Sequence, residues 1–224
     1  MNLLIIGFGV VGQAVYEGLV ENNIIDLLDI EPNDDIDYSS YDGIIICLPT
    51  PQGPRGECDD MLVEQYITTI RMEVPAVPIL IKSTISLELV ELLEDDQEVT
   101  FNPEFLTEAD SHKQFCHQKF AIFGGHHCRS WYDLYINSGI KIDKVRFTSM
   151  KNAAYAKYAI NSFLATKVIF FNELYNMYCN DGFDELTELV AMDERIGKSH
   201  MTVPGHDREF GFGGMCLPKD TLAF

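Results

Sequence analysis

The chain has 224 residues, with 16 Lys or Arg against 35 Asp or Glu, a formal charge of −19, and 46% hydrophobic and 23% charged positions. A charge this negative, with no two basic residues adjacent, argues against nucleic acid or an anionic membrane surface as a partner. At roughly 150 residues per domain the length suits one large domain, or one domain with a helical extension, and the apolar stretches are too short, or too interrupted by residues such as Asn161 and Lys167, to span a membrane.

The amino terminus, Met1 to Gly7, has no basic n-region and no cleavage-site pattern, so a cytoplasmic location is expected. Short apolar runs follow at Leu3 to Ile6, Ile24 to Leu28, Gly43 to Leu48, Ile79 to Ile81, Val99 to Phe101 and Phe120 to Phe123, separated by helix-length segments. Runs that are apolar at every position predict strands covered on both faces, hence an α/β fold with a doubly wound, mostly parallel, Rossmann-type sheet.

From Met150 to Asp181 neither Gly nor Pro interrupts 32 residues, which predicts a long helix of up to about 45 Å. Its apolar positions, among them Ala156, Ile160, Phe163, Phe170 and Leu174, spread around more than one face, so the helix is expected to pack against another helix or another subunit. A second helix is expected over about Asp184 to Ile196, and the Gly- and Pro-rich tail from His200 to Phe224 reads as a loop. The expected division is a sheet domain over 1–148 and a central helical region over 149–224.

Gly7, Gly9 and Gly12 form GFGVVG directly after the first strand and before a helix-like segment. In this setting the first glycine permits a tight turn, the second lets backbone approach a pyrophosphate, and the third lets helix pack closely on strand. Asp29 ends the second strand 22 residues past Gly7, where a carboxylate binds both ribose hydroxyls and disfavours a 2′-phosphate, pointing to NAD over NADP. Glu31 is the competing candidate.

Three further groupings carry chemistry. Lys157 and Asn161, four apart on the long helix, share a face and can stabilise an oxyanion, or lie on a solvated face. Glu104 and Glu108, also four apart, can order a water or act as bases, or form an acidic helix start. Cys216 sits in FGFGGMCLPKD, four before Asp220. It is a candidate nucleophile beside an N–H-rich glycine loop, or a small buried apolar residue. His206 and Arg208 are candidate partners for a diphosphate. The six cysteines show no CxxC pair and no metal-like spacing with the six histidines, so reduced thiols and no metal are expected.

Together these residues resemble the UDP-glucose/GDP-mannose dehydrogenase family. The resemblance runs in order through GFGVVG at 7–12, CLPTP at 47–51, KST at 82–84, NPEFLTE at 102–108, KYAINSFLATK at 157–167 with Asn172-Glu173, DERIG at 193–197 and GFGGMCLPKD at 211–220. It implies oxidation of the C6 alcohol of a nucleotide sugar, best matched by UDP-glucose, to the carboxylate with two NAD. On this chain it implies Cys216 as the nucleophile and Lys157 and Asn161 as oxyanion stabilisers. Asp220 would be the carboxylate beside the catalytic lysine, and Glu108 and Thr84 would arrange the hydrolytic water.

The resemblance implies a cofactor site at Gly7, Gly9, Val10, Val11, Gly12, Asp29, Pro49, Thr50 and Thr84. It implies a substrate site at Glu104, Phe105, Leu106, Lys157, Asn161, Arg195, Phe210 and Gly213, with Arg195 reaching across a homodimer built on the long helix. Two departures stand out: Ala154 occupies a position where the family usually has glutamate, and family chains continue past the cysteine motif into a second α/β domain. The competing expectations are a two-electron β-hydroxyacid-type dehydrogenase, which needs no thiol, and a binding subunit without turnover.

Overall fold

The computed structural model describes residues 1–29, 36–106, 110–178, 182–205, 208–214 and 216–224. In β1 (Asn2–Ile6), β3 (Gly43–Ile46), β4 (Ile79–Ile81) and β5 (Val99–Phe101) nearly every residue is buried, as strands covered on both faces require. β2 (Ile24–Leu28), largely exposed, flanks β1. β7 (Ala121–Gly125) joins β5 in the antiparallel sense, and β9 (Val145–Thr148) runs parallel to β7. The seven strands lie in the order β2-β1-β3-β4-β5-β7-β9, and a separate parallel pair joins β6 (His117–Gln118) to β8 (Lys141–Ile142). The chain therefore has the expected α/β, Rossmann-like architecture with a mostly parallel sheet.

The alternation of side chains along each strand builds two cores. Leu4, Ile6, Ile44, Ile46, Ile79 and Ile81 pack with Val63, Ile67 and Ile70 of α2 (Met61–Glu73) and Leu89 and Val90 of α3 (Leu87–Leu93). Leu3, Ile5, Ile45, Leu80 and Phe123 pack with Val15 and Leu19 of α1 (Val10–Leu19), Phe115 of α4 (Ser111–Cys116) and Trp131 and Tyr135 of α5 (Cys128–Asn137). β9 was not among the expected strands. Its VRFT sequence is only half-buried, so a search for continuous apolar runs passes over it. β7 begins at Ala121 rather than Phe120, and β3 ends at Ile46.

The residues cluster into two compact units, Met1–Lys157 and Tyr158–Phe224, and α6 (Met150–Tyr178) runs through the division. Its 29 residues correspond to about 44 Å at 1.5 Å per residue. In the first unit, Met150, Ala153 and Ala154 of its opening turns enter the core with α2 and α3. In the second unit, Phe171 packs with Phe183 of α7 (Phe183–Val190), Met201 and Val203.

Two sequence expectations need correction here. α7 stops at Val190 rather than Ile196, because the Asp193 carboxylate accepts the N–H of Arg195 at 3.0 Å and Gly197 adopts φ +68°, which favours a turn over further helix. The tail is not wholly a loop: α8 (Cys216–Ala223) is helical. Pro218 lies in its first turn, where the missing N–H leaves no intrahelical bond unmade. Among the described residues no helix is long and apolar enough to cross a membrane.

Candidate active site

The glycine turn follows β1 directly. Gly7 takes φ +92° and donates its N–H to Leu28 O at 2.7 Å, tying the turn to the end of β2, after which Asp29 lies exposed. A Cβ on Gly7 would lie 2.7 Å from Cys47 O, and one on Gly12 2.0 Å from Gly7 O, so both positions exclude larger residues. Gly9 differs: a Cβ there would meet nothing within 4 Å. Gly9 also caps α1 with no side-chain hydrogen bond, and no acidic residue occupies the first turn. The N–H groups at Val10 and Val11 thus begin a helix with no anionic side chain of its own at that end, beside open space, which fits a dinucleotide pyrophosphate. Glu31 lies outside the described residues.

The loops after β3 and β4 are joined. Ser83 donates its hydroxyl to Leu48 O at 2.7 Å, and Cys58 Sγ donates to Thr84 O at 3.4 Å, which fixes the segment holding Pro49 and Thr50 beside the one holding Thr84. Thr50 is buried, Thr84 half-buried and Pro49 exposed. Cys47, at the base of this region, has its thiol pushed up to about 12 by burial, with the Lys82 ammonium lowering it and Glu104 raising it.

After β5 the chain turns through Asn102, Glu104, Phe105 and Leu106. Lys157 donates its ammonium to the peptide carbonyl of Glu104 and lies 4.9 Å from the centre of the Phe105 ring, which itself packs on Phe120 at 4.8 Å. Lys157 and Asn161 are both buried, so the solvated-face alternative does not hold. Glu108 lies outside the described residues, and the acidic pair cannot be placed together. Lys82 and Asn102 enter the sequence reading only as members of the KST and NPEFLTE blocks, with no role, and Tyr135 not at all, yet they form a buried polar group next to Glu104. The signal was a lysine directly following an all-apolar strand.

In the second unit Asp220 is fully buried. Its Oδ2 accepts the Asn161 amide at 2.5 Å and its Oδ1 lies 2.7 Å from Lys219 Nζ. Cys216 is exposed at the first position of α8, one helical turn before Asp220, so the small-buried-residue alternative also fails. Asn172 of α6 accepts the N–H of Gly211, anchoring the glycine loop, in which Gly213 is exposed. The Phe210 ring lies 5.7 Å from that of Tyr175. Lys167 donates to the carbonyls of Ile196 and Gly197 at 2.9 and 3.0 Å, which holds the turn carrying Arg195. The Arg195 guanidinium extends into solvent and pairs with Asp193 at 2.5 Å, an interaction that keeps the Asp193 carboxyl below its usual range. Arg208 is exposed, and His206 lies outside the described residues. Among the described residues no cysteine forms a disulfide and no group of three or more His, Cys, Asp or Glu is placed to hold a metal.

Residues 151–224 match the model of the UDP-glucose/GDP-mannose dehydrogenase family, central domain. The UDP-glucose 6-dehydrogenase of Rickettsia bellii is 30% identical over 203 residues, covering 84% of this chain and 45% of that protein. The UDP-glucose 6-dehydrogenase TuaD of Bacillus subtilis is 29% identical over 220 residues, covering 92% and 46%. The chain belongs to the UDP-glucose/GDP-mannose dehydrogenase family. It spans less than half the length of these curated relatives.

Among solved structures, a UDP-glucose dehydrogenase from Pyrobaculum islandicum matches with a TM-score of 0.81 at 23% identity, over 99% of this chain and 62% of that one. A 3-hydroxyisobutyrate dehydrogenase from Mycobacterium tuberculosis matches with a TM-score of 0.66 at 17% identity, over 91% and 75%. These likenesses establish the fold, which both kinds of dehydrogenase share. Ala154, the departure from the family pattern, is fully buried in the apolar core around α2 and α3, where a carboxylate would lack a partner.

Proposed function

We propose that the chain is the NAD-binding and central part of a nucleotide-sugar 6-dehydrogenase of the cytoplasm, acting on UDP-glucose or a close relative to give the uronate. The observation that carries this reading is the arrangement on α8: an exposed thiol at Cys216, and one turn later a buried carboxylate, Asp220, held by Asn161 and Lys219. A two-electron dehydrogenase has no use for the thiol, whereas a four-electron oxidation needs a covalent holding step. The turn at Gly7 to Gly12, the open space over Gly9 and the exposed Asp29 support NAD as the cofactor.

Bound NAD would accept the hydride in each of two oxidations, alcohol to aldehyde and thiohemiacetal to thioester. Between them the Cys216 sulfur adds to the aldehyde carbon and holds it as the thiohemiacetal. Lys157 and Asn161 stabilise the negative charge that develops on the C6 oxygen. Asp220 orients Asn161, and Thr84 and Glu108 arrange the water that hydrolyses the thioester and frees the thiol. Phe105, Leu106, Phe210 and Gly213 line the sugar nucleotide. A homodimer through α6, in which Arg195 serves the neighbouring site, belongs to the same reading; its support is the exposed Phe163, Phe170 and Met177 on that helix.

The test is to incubate the chain with NAD and UDP-glucose and measure NADH and uronate, for the wild type and for Cys216→Ser. Two NADH per uronate, with uronate lost in the variant, is the expected result. A variant that forms uronate at the wild-type rate overturns the covalent mechanism, and NAD binding without turnover of any nucleotide sugar favours a binding subunit.

A further inference from the structure

We propose that Lys82 is a positioning residue for Lys157, acting through Glu104; the proposal rests on the reading of Lys157 as an oxyanion stabiliser. Lys82 follows β4 directly and its side chain is 1% exposed. An ammonium at that depth needs a counter-charge. It has one in Glu104 Oε2 at 2.6 Å, with Asn102 Oδ1 accepting at 2.8 Å and the Phe115 ring centre 5.6 Å away.

Asn102 is itself immobilised. Its Oδ1 also accepts the Tyr135 hydroxyl at 3.2 Å, and its Nδ2 donates to Ile122 O at 2.7 Å. Lys82 is therefore tied to a fixed point between β5, α5 and β7. Glu104 is committed at both oxygens, since Oε1 accepts the N–H of Phe105 at 2.8 Å while Oε2 meets Lys82. The carboxylate thus folds back on its own turn and sets the direction of the Glu104 peptide carbonyl. That carbonyl accepts the Lys157 ammonium, and the next residue presents its ring to the same group.

A buried ion pair contributes little net stability against an apolar replacement, so defining a geometry is the role it fills best here. Glu104 then influences the substrate through Lys157, its Oε2 being ion-paired with Lys82 and its Oε1 bonded to its own turn.

The experiment is competitive acylation of lysines by a small amine-reactive reagent, with the rate at Lys157 read by mass spectrometry in the wild type, Lys82→Met and the double variant Lys82→Met/Glu104→Gln. Buried Lys167 in the second unit is the control for general loosening, and NAD binding is the control for a folded first unit. The expected result is acylation of Lys157 several-fold faster in both variants, with Lys167 unchanged. Should Lys82→Met fail to fold, the double variant, which leaves no unpaired charge, decides alone. An unchanged Lys157 rate in a variant that binds NAD overturns the proposal, as does a parallel rise at Lys167. Because labelling needs no turnover, a wild type that oxidises nothing defeats the functional reading without touching this one; where turnover is measurable, Lys82→Met lowers kcat and leaves the KM for NAD in place.

Discussion

Asn161 and Asp220, 59 residues apart in sequence, meet at 2.5 Å, a side-chain amide donating to a carboxylate that has no exposure to solvent. With Lys219 on the other oxygen, this pairing fastens α8 to α6 within the second unit. Asn161→Ala removes one hydrogen bond from a buried anion and should lower stability by about 1–3 kcal/mol. Lys219→Met removes the ammonium beside it and should cost more, about 3–5 kcal/mol. Urea unfolding of the two variants against the wild type checks the order; a Lys219→Met midpoint equal to the wild type's would mean that the carboxylate does not depend on Lys219.

Gly9→Val should fold normally, since its backbone is extended and its Cβ meets nothing, yet bind no NAD. Calorimetric binding equal to wild type would remove the pyrophosphate from this turn. Gly12→Val should instead be destabilised, because its Cβ collides with Gly7 O. Asp29→Asn should narrow the preference for NAD over NADP by about tenfold, ~1.4 kcal/mol, measured as the ratio of the two affinities.

Brief treatment of the native protein with iodoacetamide at neutral pH should modify Cys216 and spare Cys47. The first is exposed at a helix start, while the second is buried with its thiol pushed up to about 12 by burial. Peptide mapping reads the result, and modification of Cys47 at a comparable rate would mean that the core beneath the glycine turn opens readily.

Phe163→Glu or Phe170→Glu should weaken self-association by a hundredfold or more, ~2.7 kcal/mol, because each places a charge on the exposed apolar side of α6. Sedimentation equilibrium gives the comparison. A wild type that is monomeric at micromolar concentration would remove the dimer from the proposed function.

The sheet was legible because strands covered on both faces need apolar residues at nearly every position, and β1, β3, β4 and β5 supply them apart from Asn2 and Thr100. β9 was not, since a half-buried edge tolerates Arg146 and Thr148. α8 was hidden by the glycines before it and by Pro218, which only the first turn of a helix admits. In the candidate site, Lys157 and Asn161, which the sequence leaves open between an oxyanion site and a solvated helix face, are buried. Lys82 carried a local signal, a charge directly after an all-apolar strand, but its partners and those of Tyr135 come from distant segments, which no local spacing records.

Two glycines of the turn, Gly7 and Gly12, are demanded by the chain's own packing, and only Gly9 is free of any such demand. The three positions therefore differ in what they would reveal over evolutionary time. A descendant that had ceased to use a nucleotide would still have to keep the first and third glycines to fold, and substitutions would accumulate at the second. Position 9 is the one whose identity records whether a ligand is still being accommodated.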